Sequence, residues 1–491
     1  MPDELYASDI KAPPSTVLGI LRQLGPGMIL AGSIVGSGEL IATTRTGAEA
    51  GFSFLWLIII GCLIKVFTQV ELARYSIINR KTTHHALMDI PGGRFIVWFW
   101  FLMFLVGIGQ LGGIVGGVGQ ALAISAPLTA EGKAYNTMLS QRIESQAFGT
   151  ALADKEELDT KIGELAPRVK DAKIWAVIVT VITIIILVIG NFTWIQLFST
   201  ALVCGFTFIT IGNLFALQGH TEFAIALPEL IKGLSFGFPE KTEGLIPLNT
   251  ALATFGIIGV GAAELVAYPY WCLEKGYAKW TGPRDESQAW ADRARGWMRV
   301  MQWDAWCSMF VYTFSTVAFY LLGASILHRS GLLPEKSEMV STLAVMYKPV
   351  FGPMAQHIFL VGAFAVLFST FFVANAAKAR LLSDVIVIMR KRSYEKNQRQ
   401  RMVKLFSVIL PALCPLVYIL YPNPLQLVLI AGVMQALLLP MLGYAALYYR
   451  YQRCDPRLKP GPIWDFWLWL SFVGFIVVGV HIAWDKVQGL F

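Results

Sequence analysis

Residues 36–42 read GSGELIA, and residues 261–267 read GAAELVA. Gly36, Glu39, Leu40 and Ala42 thus recur as Gly261, Glu264, Leu265 and Ala267 at a constant offset of 225. Both copies lie inside long apolar stretches. A carboxylate at the centre of a membrane helix costs roughly 2.5–3.5 kcal/mol on insertion scales and normally faces a partner or a watery cavity. Two such acids at matching places in two halves of one chain point to one shared site.

The chain around this repeat has 491 residues, of which 55% are hydrophobic and 15% charged. Its apolar runs of spanning length number eleven, near residues 27–48, 53–77, 95–125, 173–190, 193–217, 248–272, 303–327, 349–377, 402–421, 423–449 and 463–484. That pattern predicts an all-α polytopic membrane protein and argues against a soluble enzyme. There is no GxSxG, P-loop or HExxH pattern, so neither covalent catalysis nor ATP-driven transport is expected, and no cofactor. Cys62, Cys204, Cys272, Cys307, Cys414 and Cys454 lie far apart without a CxxC, which predicts neither a disulfide framework nor a zinc site.

Net charge is +8, and its distribution explains it without a nucleic-acid partner. Basic residues gather in alternate loops: Arg74, Arg80, Lys81 and Arg94; then Lys275, Lys279, Arg284, Arg293, Arg295 and Arg299; then the run from Lys378 through Lys404; then Arg450, Arg453, Arg457 and Lys459. The loops near 218–247 and 325–348 are poor in them. The positive-inside rule therefore places the amino terminus in the cytoplasm and the carboxyl terminus outside, as an odd number of spans requires. MPDELYASDIK at the start lacks the features of a cleaved signal peptide. Absent targeting segments and compact loops favour a bacterial plasma membrane, and a monomer in the lipid bilayer is expected.

The repeat divides the chain. Residues 1–24 form a cytoplasmic segment, 25–217 a first five-helix repeat, 248–449 a second, and 463–484 an eleventh helix. Because five is odd, the halves insert with opposite orientation. Inverted repeats place substrate near the bilayer midplane, between two interrupted helices. GPGMILAGSIVGSG before Glu39 and FGIIGVGAA before Glu264 supply the glycine density an interruption needs. Residues 126–172, with mixed charges and helix-favouring composition, read as an extracytoplasmic helical hairpin or a solvated loop. The arm at 378–401 reads as a cytoplasmic extension of the eighth span.

The stretch GPGMILAGSIVGSGELIATTRTGAEAGFSFLW, residues 25–56, resembles the opening of the NRAMP divalent-metal transporters: GPG, then D-P-G-N, then T-x-x-G-A-x-x-G-F-x-x-L-W. GIIG at 256–259 with Tyr268, FST at 368–370 with Ala376, and Pro440 extend the similarity. The resemblance implies a LeuT-like 5+5 inverted repeat plus an eleventh transmembrane helix. The motif residues depart from the family pattern. Gly36, Ser37, Gly38 and Glu39 stand where D-P-G-N is usual, and Val260, Gly261, Ala262, Ala263, Glu264 and Leu265 where A-x-x-M-P-H is usual. The family's metal-binding aspartate, asparagine and methionine are thus replaced by Gly36, Glu39 and Ala263, and its histidine by Leu265. Third-span acids tied to proton movement fall on Gly113 and Gly116, which removes the family's usual proton coupling.

Losing the methionine sulfur removes a preference for softer transition metals, while carboxylate and carbonyl oxygens suit magnesium, calcium or manganese. The expected binding site is Gly36, Ser37, Gly38, Glu39, Val260, Gly261, Ala263 and Glu264. Glu39, Glu264 and the Gly36 carbonyl would hold a hard divalent ion, magnesium or manganese, moved by alternating access. Alternatively, Glu39 and Glu264 cap the second half-helices through free amides and the helix dipole. They could also act as proton or amine sites for a small organic solute or an anion, since one fold hosts many substrates. A sensor without net transport is a third reading. Glu71 reads as a local partner of Arg74, and Gln110, Gln120, Ser369, Thr370, Asn375 and Gln435 as hydrogen-bond links between helices.

Overall fold

Residues 9–150, 154–189, 192–239, 246–390 and 398–488 are described by the structure, a computed structural model. Ten stretches are long and apolar enough to cross a membrane: Pro26–Ala50, Leu55–Asn79, Gly93–Ser125, Asp171–Ile189, Pro247–Lys275, Gln288–His328, Lys336–Met389, Gln398–Leu420, Pro424–Arg453 and Pro462–Gln488. The helix Phe192–Ala216 occupies the place of the expected fifth span. With it, the eleven predicted runs each correspond to helix, and the ordinals below follow chain order.

Two spans are broken where the sequence is richest in glycine. The first runs as a helix over Pro26–Ile34, unwinds at Val35 and Gly36, and resumes as a π-helical segment Ser37–Thr43 followed by Thr44–Ala50. The sixth runs over Pro247–Ile257, breaks, and resumes over Ala262–Lys275. Gly259 has a φ of +56°, a left-handed turn that a side chain would strain. At Gly36 the need is room instead: a Cβ there would lie 1.9 Å from the Thr370 hydroxyl of the eighth span.

Both broken spans sit inside the bundle, with the seventh, eighth and tenth packed around them and the second against the latter half of the sixth. Broken backbone at membrane depth survives only where protein or an aqueous cavity satisfies it. Here side chains do so. Ser369 and Thr370 donate to the carbonyls of Gly32 (3.0 Å) and Ser33 (3.1 Å). Lys65 of the second span donates to the carbonyls of Phe255 and Ile258, the latter at 2.8 Å.

The insertion is a helical hairpin, Ala130–Phe148 and Lys155–Leu165. It is docked through Lys348 on Glu144 at 2.9 Å and Arg142 on Glu338. Asp171 accepts the amides of Leu128 (2.7 Å) and Thr129 (3.1 Å) at its root. The eighth span continues as one helix, Ala355–Arg390. This corrects the reading of Lys378 as a loop residue: its side chain is 8% exposed and inside the bundle. Residues 391–397 of the arm lie outside the described residues.

Candidate functional site

The repeated acids occupy equivalent positions. Gly36 caps one second half-helix and Gly261 the other, and Leu40 and Leu265 each donate an amide to the capping carbonyl at 2.8 Å. Glu39 and Glu264 are therefore both third in their half-helices, where an acid meets free amides and the positive end of the helix dipole.

Their carboxylates diverge. Glu39 is fully buried and accepts hydrogen bonds from the amides of Gly36 and Gly259 and from the Thr316 hydroxyl, each at 3.3 Å. It joins the unwound part of the first span to that of the sixth and to the seventh. Glu264 instead lines a cavity of about 50 Å³, room for a few waters. Ser33, Ser37, Gln110, Thr370 and Lys378 share that lining.

Of the eight expected site residues, Ser37, Gly38, Ala263 and Glu264 line the cavity, whereas Gly36, Glu39, Val260 and Gly261 are buried behind it. The backbone oxygens beside the breaks are already engaged: Gly36 by Leu40, Phe255 and Ile258 by Lys65. Among the described residues no three His, Cys, Asp or Glu side chains gather to hold a metal. A cation in the cavity would therefore draw on the Glu264 carboxylate and on hydroxyl, amide and water oxygens.

Hydrogen bonds close the bundle on both sides of the cavity. Toward one end Thr46 meets Thr254 at 2.8 Å. Toward the other, Asp304 of the seventh span accepts the amides of Gly25 (2.8 Å) and Gly27 (2.5 Å) and the Tyr268 hydroxyl (2.9 Å). The sequence points to no role for Asp304, and to Lys378 only as the first residue of a basic run. Both are charged residues in or beside apolar runs, and that alone is a signal for an intramembrane role. Gln435 and Gln120 behave as links, donating to Gln110 at 3.1 Å and to the Lys336 carbonyl at 2.8 Å, whereas the Asn375 side-chain amide donates within its own helix, to the Phe371 carbonyl. Glu71 pairs with Arg74 at 3.3 Å and accepts from the Trp464 indole at 2.7 Å. Gly113 and Gly116 pack against the Pro424 carbonyl and the Tyr418 ring.

Two broken spans at equivalent places in two five-helix repeats, around one buried cavity, define a LeuT-fold membrane protein. The chain matches the family described as natural resistance-associated macrophage protein-like (Nramp) over residues 164–485, more than half its length, and belongs to that family. That match begins after the first span, so residues 25–56 are not part of it.

Comparison with curated proteins finds no match. Among solved structures, a mutant of the Eremococcus coleocola manganese transporter is similar with a TM-score of 0.64 at 14% identity, covering 99% of this chain and 91% of that one. MhsT in complex with L-phenylalanine gives 0.56 at 14%, covering 96% and 100%. Mhp1, a nucleobase-cation-symport-1 family transporter in a closed conformation with bromovinylhydantoin, gives 0.51 at 14%, covering 96% and 93%. At such identities the likeness concerns the fold alone.

Proposed function

We propose that this chain moves a hard divalent metal cation, magnesium or manganese, across a bacterial plasma membrane by alternating access, acting as a monomer and without catalysis. The observation that carries this reading is Glu264, an acid at the start of a broken half-helix with its carboxylate on the cavity wall. Glu39 stands behind it, its carboxyl group held by two amides. Membership of the Nramp family supports a divalent substrate, and likeness to the solved transporters supports the fold such a site needs. Ala263 on the cavity wall in place of a thioether favours harder ions. Few oxygen ligands in a small cavity suit an ion that keeps several waters, as magnesium does.

Transport proceeds without proton coupling in this reading. Gly113 and Gly116 carry no ionisable group, and the third span offers Gln110, Leu111 and Ile114 to the cavity, none of which titrates. The basic loops orient the amino terminus toward the cytoplasm.

Uptake of magnesium, manganese and calcium into proteoliposomes with an internal pH dye tests the reading. Saturable metal uptake that Glu264→Gln abolishes, with a silent dye, is the expected result. A folded, reconstituted protein that takes up no metal would overturn it. One observation favours a second reading: the Lys378 ammonium lines the same cavity, as a site for a small organic anion or zwitterion would require. Inhibition of metal uptake by such solutes, with solute uptake of its own, would favour that reading.

A further inference from the structure

Lys378 is the feature of the cavity that a cation site does not call for. Its side chain is 8% exposed, and among the described residues it makes no hydrogen bond or ion pair. Its nearest companions are apolar or small. The ammonium lies 5.3 Å from the Phe104 ring centroid, and a Cβ on Gly107 would come within 2.4 Å of it. Glycine at 107 thus leaves the amine its place. Across the cavity stands Glu264, which has no ion pair within 4 Å among the described residues but lies within electrostatic reach of Lys378. A buried ammonium and a carboxylate on the wall of a narrow cavity each carry a desolvation penalty alone, which an opposite charge offsets.

We propose that Lys378 is a tethered cation that neutralises Glu264 in the empty carrier and withdraws when the transported cation arrives. The inference rests on the divalent-cation reading above and supplies what that reading lacks. A carrier must return empty, and a bare carboxylate in its midplane cavity makes the return costly. A proton can supply the missing charge in a coupled carrier. Here the four-carbon stem of Lys378 brings a charge that never leaves the protein, so the return step needs no proton. Lysine suits this role because its ammonium is a compact charge on a flexible stem.

The other charged or titratable groups facing the pair are few. Lys65 on the second span lies within electrostatic reach of Glu264 as well as of Glu39 on the first, but is held by the Phe255 and Ile258 carbonyls, and Cys414 of the ninth span lies near Lys378. The third and tenth spans present Gln110 and Gln435, which do not titrate. Glu264 is therefore the group that a proton would reach if Lys378 lost its charge.

The test uses the full-length protein in proteoliposomes with manganese as the probe, comparing wild type, Lys378→Arg and Lys378→Met. Two modes are read, net uptake into empty vesicles and exchange against internal manganese, together with manganese affinity by calorimetry and the internal pH dye. Lys378→Met should bind manganese at least about tenfold more tightly, because a competing cation is gone. It should keep exchange, which needs no empty return, while net uptake falls about tenfold. Acidic medium should restore that uptake, with a pH signal the wild type lacks, and Lys378→Arg should retain net uptake.

Equal loss of both modes without a gain in affinity would show Lys378 to be structural and overturn the inference. So would unchanged net uptake. If wild type moves no manganese, the divalent reading itself fails, and this inference with it.

Discussion

The ammonium of Lys65 lies 2.8 Å from the carbonyl oxygen of Ile258 and also hydrogen-bonds the carbonyl of Phe255. It fills with a side chain the place where a broken helix exposes oxygens to a cation. The same ammonium lies 4.6 Å from the Phe255 ring centroid and within electrostatic reach of Glu39. Lys65→Met keeps the length of the side chain but strands two buried carbonyls, at about 1–3 kcal/mol for each. Thermal unfolding in detergent should show this loss. Added sodium should recover part of it in Lys65→Ala, where the shortened side chain leaves room for an ion. Full stability of Lys65→Met would mean the carbonyls find other partners.

Glu39 and Glu264 should respond differently to the same substitution. Glu39 accepts from two amides and a hydroxyl in a site without solvent. In Glu39→Gln the amide nitrogen must face one of those donors, leaving it unpaired for about 1–3 kcal/mol. Glu264 faces the cavity, so Glu264→Gln should unfold within about 1 kcal/mol of wild type while losing metal uptake. Thermal melts of both variants beside their uptake rates check this. Equal stability of the two would refute the separation of roles drawn from the geometry.

In the loop between the tenth and eleventh spans, Asp455 ties three segments together. It pairs with Arg284 at 2.9 Å and Arg457 at 3.0 Å, and Arg457 in turn donates to the carbonyls of Asp285, Glu286 and Ser287. The hydrogen bond from Arg457 holds the Asp455 carboxyl below its ordinary value of 3.8. A carboxyl lowered by folding stabilises the protein above its unfolded value, and the contribution disappears as pH falls through the folded one. Asp455→Asn should therefore lower stability by about 1 kcal/mol at pH 7. Below about pH 4 its melting curve should approach that of wild type. A difference that persists in acid would mean that packing, not charge, is lost.

How much of this was readable beforehand follows from what each residue depends on. The equivalence of Glu39 and Glu264 is written in the repeat, because a capping glycine and an acid three residues later define the start of a half-helix locally. The breaks are equally local, since clustered glycine permits them. The direction of each carboxylate is not local. Glu39 turns inward because the Gly259 amide and Thr316 hydroxyl arrive from other spans, and nothing near residue 39 encodes that. Lys378 reads as the first member of a basic run, and only the continuation of the eighth helix to Arg390 puts it at membrane depth. The pairing of Glu71 with Arg74 is legible from their spacing alone.

Asp304 gives the last test, and it concerns motion. One carboxylate of the seventh span receives the amides of Gly25 and Gly27 at the start of the first span, where the helix dipole favours an anion, and the Tyr268 hydroxyl of the sixth. The first halves of the bundle cannot separate there without breaking all three bonds. Asp304→Asn keeps the shape but removes the charge, and its amide nitrogen must face one of the two glycine amides, so at least one bond is lost and those that remain have about half the strength. Residues 26–34 should then exchange their amide hydrogens faster, by about tenfold for a loss near 1.4 kcal/mol. Helix Pro424–Tyr448, which makes no bond to Asp304, should exchange as before. Faster exchange confined to the start of the first span identifies Asp304 as a latch on that end of the cavity. Uniformly faster exchange would instead assign it to the global stability of the fold.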